Sequence, residues 1–91
     1  MQLQLTKEEL ERIGFKRSRI EGDEMNPPVI VWDIPTRNGF FRYNEDQPEY
    51  KWYHVTKTGD GYNFVHLDIS KKPELMMVLL IFRVKYKSSV I

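Results

Sequence analysis

The sequence predicts an α+β fold: an antiparallel β-meander of four to five strands with a short N-terminal helix and a C-terminal helix packed on one face. Three observations carry that expectation. A helix-capping sequence opens the chain, Asn-Gly and Gly-Asp-Gly turns separate runs rich in aromatic and β-branched residues, and a Met- and Leu-rich segment follows Pro73. With 91 residues the chain is read as one domain, residues 1–91, with room for a single core but not for an elaborate buried active site as well.

Each element follows from local chemistry. Thr6-Lys7-Glu8-Glu9 places a capping hydroxyl three residues before a glutamate, and Leu10 and Ile13 supply the apolar edge of a helix over about Lys7 to Ile13. Gly14 suits the position after that helix, and Phe15 to Glu21 reads as an edge strand whose basic side chains discourage edge-to-edge pairing. Gly22 to Pro28 is a loop, because its Asn-Pro-Pro run is incompatible with helix. Val29 to Ile34 is a strand, Pro35 to Gly39 a turn marked by Asn38-Gly39, and Phe40 to Asn44 the partner strand. Glu45 to Glu49 forms an acidic connector into the hairpin of Tyr50 to Lys57 and Tyr62 to Ile69. The last segment admits two readings. Leu and Met at helical spacing favour helix across Pro73 to Arg83, whereas Leu80, Phe82, Val84 and Tyr86 alternate with Ile81, Arg83, Lys85 and Lys87 as in a strand.

Composition narrows the partners. Hydrophobic residues make up 41% and aromatics 13%, enough to offset ordering entropy, so the chain should fold. A net charge of +1 supplies no global field to capture nucleic acid or an anionic membrane. Absence of cysteine removes disulfides, thiolate metal sites and a cysteine nucleophile, and suits a reducing compartment. The first residues lack the basic start and apolar core of a secretory signal, and the apolar run Leu75 to Phe82 is far short of the roughly 20 residues that cross a bilayer. A cytoplasmic protein with no membrane association, no cofactor and no metal is expected.

The hairpin turn tests whether the two histidines, His54 and His66, can cooperate. A two- or four-residue loop between the arms puts Lys51, Tyr53, Val55 and Lys57 on one face with Tyr62, Phe64, His66 and Asp68. Trp52, His54 and Thr56 then share the other face with Asn63, Val65, Leu67 and Ile69. The histidines therefore diverge, against a His54/His66/Asp68 metal site, whose ligands must converge to about 2.0 to 2.2 Å from one ion. A three-residue loop would reverse that parity.

Candidate chemistry is sparse. None of the serines sits in a Gly-x-Ser-x-Gly elbow, so no hydrolase triad is indicated. His66 with Lys51, Arg42 and Tyr53 contains the acid, base and cation that a small ribonuclease needs, but such an inventory occurs in most domains of this size. Lys16, Arg17 and Arg19, with Arg83, Lys85 and Lys87, form two basic clusters that suit a phosphate-tracking stripe if they share a sheet. The aromatic surplus points instead to binding: Tyr53, Trp52, Lys51, His66 and Asp68, with Phe41 and Tyr43, are the candidate binding residues.

The opening Glu9-Leu10-Glu11-Arg12-Ile13-Gly14-Phe15 followed by aromatic strands resembles small uncharacterised helix/β-meander/helix reading frames of bacterial mobile elements and phages. That resemblance implies an accessory protein that inhibits a host or defence factor by binding. The Leu10 to Gly14-Phe15 step is also similar to small messenger-RNA-cleaving toxins with a double-stranded-RNA-binding-like fold. Their Gly-Ser-His catalytic step is missing here, so no catalytic residue is carried over. The sequence thus leads to a non-catalytic protein-binding module, monomeric or a weak homodimer. A nucleic-acid-binding protein or ribonuclease-like toxin, using the basic edges and His66, is the alternative.

Overall fold

A computed structural model describes residues 3–46 and 51–82. Along the chain these form α1 (Lys7–Ile13), β1 (Lys16–Ile20), β2 (Val29–Thr36), β3 (Gly39–Asn44), β4 (Trp52–Thr58), β5 (Gly61–His66) and α2 (Lys72–Ile81). The strands make one sheet in the order β1-β2-β3-β4-β5, with every neighbouring pair antiparallel. The meander expected from the turns is thus complete with five strands, and the segment after Pro73 is helical through Ile81.

Local signals explain the ends of α1. Thr6 and Glu9 form a reciprocal capping box, with the Glu9 amide donating to Thr6 Oγ1 at 3.1 Å and the Thr6 amide donating to Glu9 Oε1 at 3.2 Å. At the other end Gly14 adopts φ +123°, which side chains disfavour, and the amides of Gly14 and Phe15 both donate to the Leu10 carbonyl. That reversal aims Phe15 into the core and starts β1.

One boundary differs from the sequence reading. Pro35 was expected in a turn, yet β2 continues through Thr36, and a two-residue loop of Arg37 and Asn38 returns the chain to Gly39. Proline is tolerated there because β1 ends opposite Asp33, so among the described residues the position where the missing N–H would point has no strand to bond.

One face of the sheet carries the core. Phe15, Trp32, Ile34, Phe41, Tyr43 and Trp52 pack with Leu10 and Ile13 of α1, Leu75 and Leu79 of α2, and Ile69. The rings of Phe41 and Trp52 stack at 5.7 Å, and Phe15 meets Trp52 edge-on at 6.1 Å. The Trp52 indole N–H donates to the Leu3 carbonyl at 2.9 Å, and the Leu3 amide donates to the Ile69 carbonyl, which ties the chain's start to the sheet. Both helices thus lie on this face. Among the described residues neither covers the other.

Candidate functional site

The hairpin register settles the disposition of the histidines. Thr58 pairs with Gly61 around a Gly59-Asp60 loop, so His54 stands opposite Val65 and His66 opposite Tyr53. The two imidazoles lie on opposite faces, and among the described residues no three His, Asp or Glu side chains gather as metal ligands do.

On the face away from the helices, one cross-strand row spans the whole sheet. Lys16, Asp33, Arg42, Tyr53 and His66 stand opposite one another in succession from β1 to β5. Arg42 binds Asp33 through a two-pronged contact, Nε to Oδ1 at 2.7 Å and Nη2 to Oδ2 at 2.9 Å. Its guanidinium also lies 4.7 Å from the centre of the Phe40 ring and donates to the Tyr53 hydroxyl at 3.4 Å. Burial acts to lower the Arg42 pKa, but the hydrogen bonds to Asp33 and Tyr53 outweigh it and hold the pKa above its ordinary value. Tyr53 continues the row, with its ring 5.7 Å from His66 and 6.0 Å from Phe64. Beside this polar row runs an apolar one, Pro35, Phe40, Val55 and Phe64.

Other candidates are dispersed. Trp52, Phe41 and Tyr43 were candidate binding aromatics, but all three are buried in the core and offer no surface to a partner. Their side chains share the helix-facing side of the sheet, a parity that the alternation of β3 and β4 imposes. Lys51 does not join Tyr53 and His66 in the row: its ammonium donates to the Glu45 carbonyl at 2.8 Å and lies 5.0 Å from the Tyr43 ring centre. Burial lowers the Lys51 pKa, opposed by the nearby Asp46 and Glu45 carboxylates. Asp68 is exposed beyond the end of β5. Lys16, Arg17 and Arg19 lie on exposed β1, where Arg17 pairs with Glu45 at 3.3 Å and Arg19 with Glu21 at 3.1 Å. Arg83, Lys85 and Lys87 lie outside the described residues.

The two edges of the sheet differ in kind. β1 carries Lys16, Arg17 and Arg19, whose charges oppose pairing with another strand. β5, Gly61-Tyr62-Asn63-Phe64-Val65-His66, has no lysine, arginine or carboxylate and is exposed along its whole length, with Tyr62 at 59%, Phe64 at 55% and Val65 at 45%. Hydrogen-bond parity fixes which of its main-chain groups face outward. The Leu67 amide donates to the Trp52 carbonyl, so Asn63 and Val65, in phase with Leu67, bond to β4, while Tyr62 and Phe64 turn their N–H and C=O groups away from β4, to an edge on which no strand pairs among the described residues. The same parity runs through β3, whose Asn44 amide donates to the Lys51 carbonyl.

His54 occupies a separate cleft on the helix side of the sheet. Its Nε2 is 2.8 Å from Thr36 Oγ1, its Nδ1 is 3.2 Å from Thr56 Oγ1, and its ring stacks on Phe82 at 4.0 Å with 5° between the planes. Burial alone lowers the imidazole pKa. The unfolded chain therefore binds the proton more readily, so folding stability should decline as pH falls below the ordinary value of 6.5 and on through the lower folded value. Urea melts across that range will check this: a His54→Gln variant should lose that part of the pH dependence.

The residues around His54 were not singled out from sequence as a site. Arg37 and Asn38 read only as part of a turn, and nothing in their spacing signalled that the turn would stand beside Thr56 and Lys57. Compared with protein-family models, with curated proteins and with solved structures, the chain matches none.

Proposed function

We propose that the chain is a non-catalytic protein-binding module that accepts an extended segment of a partner protein as an added strand along β5. The carrying observation is the contrast between the charged edge β1 and the uncharged, aromatic, exposed edge β5. Backbone groups of Tyr62 and Phe64 supply directional bonds for such a strand, and its side chains would extend the Pro35, Phe40, Val55 and Phe64 row on one face. On the other face Val65 and Ile81, at 45% and 66% exposed, supply further apolar contact. The resemblance to small mobile-element and phage reading frames would make the partner a host or defence factor.

A ribonuclease reading would need Arg42 for phosphate, but its fork is engaged by Asp33, and Arg17 and Arg19 are each paired with a carboxylate. These ion pairs occupy the guanidinium groups that such a reading would need for phosphate.

Proline substitution separates edge recognition from folding. Because the Phe64 amide faces outward, Phe64→Pro removes a donor for a partner while leaving the β4 ladder intact, at an expected cost to stability of about 1 kcal/mol. Extended peptides selected from a displayed library on the wild-type protein should lose binding to Phe64→Pro and retain much of it with Phe64→Val, which keeps the amide. Equal binding to all three proteins would remove β5 as the site, and a concentration-dependent dimer abolished by Phe64→Pro would make the occupant a second copy.

A further inference from the structure

We infer that the cavity between α1 and the first turns of α2 is a binding site for an uncharged, apolar ring compound. It encloses about 370 Å³, within the size range of small-molecule sites. Leu5 and Ile13 line it on the α1 side, and Pro73, Leu75 and Met76 on the α2 side. Ile13 and Leu75 belong to the buried core and Leu5 and Met76 pack against it, so the cavity reaches the core instead of lying as a patch over it. No residue of β5 lines it, nor does Ile81, which keeps it apart from the proposed strand-accepting edge.

The chemistry of the wall selects the ligand. Among the described residues the wall is almost wholly apolar, and its two charged residues, Glu9 and Lys72, are ion-paired with each other from one helix to the other. The Lys72 ammonium and the Thr6 amide hold the Glu9 carboxyl below its ordinary range, so it is a carboxylate at neutral pH and the pair is made. Each charge is thereby answered, and neither an anion nor a cation finds an unopposed partner. A well-held water needs two to four polar partners, which such a wall does not supply. Water there is displaced by an apolar body with a gain in affinity.

The form of the cavity favours a small molecule over a chain segment. A strand would need unpaired main-chain groups, whereas the cavity is walled by side chains of two helices. A helix in a groove is held by several anchors in succession, and one cavity supplies a single anchor. A compact ring fills it alone and adds apolar contact between α1 and α2, which the Glu9–Lys72 pair already joins through charge.

Indole is the probe, titrated at neutral pH into protein carrying labelled methyl groups. Saturable shifts are expected at the methyls of Leu5, Ile13, Leu75 and Met76, with half-saturation at about 1 mM or below and with Val65 and Ile81 unmoved. Met76→Trp fills the cavity from its half-buried wall and should weaken binding about tenfold or more while sheet resonances hold their positions. Leu5→Phe is a second filling variant, made at another half-buried wall position. Indole-3-acetate and tryptamine, which add a negative and a positive charge, should bind no more tightly than indole. The inference is overturned if no saturable shift occurs, if both filling variants bind indole unchanged, or if either charged analogue binds more tightly. Displacement of indole by raised protein concentration, or by a peptide selected for binding at β5, would give the cavity to a side chain of a second copy or of a partner and equally overturn it.

Discussion

Phe41→Ala is expected to destabilise the fold by about 3–5 kcal/mol, the range for truncating a fully buried phenylalanine. Phe41 has no exposed surface and lies at the centre of the sheet, where its ring meets Phe15 at 6.3 Å, Trp52 at 5.7 Å and Phe82 at 6.1 Å. These neighbours come from the end of α1, from β4 and from the end of α2, so a cavity at Phe41 loosens both helices from the sheet together. Thermal unfolding should shift down by about 15 °C or more for a domain of this size. Phe41→Leu, which refills most of the volume, should recover much of that loss. An alanine variant that melts near wild type would contradict the placement of Phe41 in the core.

Gly39→Ala should cost about 2–4 kcal/mol for a different reason. A methyl group at residue 39 would fall on the Val55 carbonyl oxygen, with the carbonyl carbon at 2.9 Å and Thr56 Cα at 3.0 Å. The obstruction is backbone of the neighbouring strand, which no rotamer change relieves. β3 must therefore move away from β4, opening the Gly39↔Thr56 pair and displacing the Arg37-Asn38 turn. Denaturant unfolding measures the loss, and exchange of the Lys57 amide, which donates to the Asn38 carbonyl at 2.9 Å, reports whether the damage is local to this end.

Much of this architecture is legible in short segments because its determinants are local. Thr6 and Glu9 announce a capping box, Gly14 ends α1, and Gly59-Asp60 sets a hairpin whose parity alone separates His54 from His66. Nonlocal determinants are harder to read. Asn38-Gly39 signals a turn, but the loop is Arg37-Asn38, since Pro35 is tolerated beyond the end of β1 and Gly39 is held against Val55. Trp52, Phe41 and Tyr43 read as surplus aromatics until the helices are placed on their side of the sheet.

The candidate sites divide along the same line. Tyr53 and His66 share a face by simple alternation, so their association is visible in the hairpin itself. Asp33 joins them only through Arg42, across two further strand pairings that no local spacing specifies. Lys51 sits one step beyond β4, where the pull of the Glu45 carbonyl on its ammonium outweighs strand parity. Among the described residues no helix is long and apolar enough to cross a membrane.

Amide hydrogen exchange along β5, with and without a selected binding peptide, tests the central proposal most directly. In the free protein the amides of Asn63 and Val65 should be protected by β4 while those of Tyr62 and Phe64 exchange rapidly, and the peptide should protect Tyr62 and Phe64. Protection of Tyr62 and Phe64 in the free monomer, or rapid exchange of both in the saturated complex, would contradict recognition by strand addition at this edge.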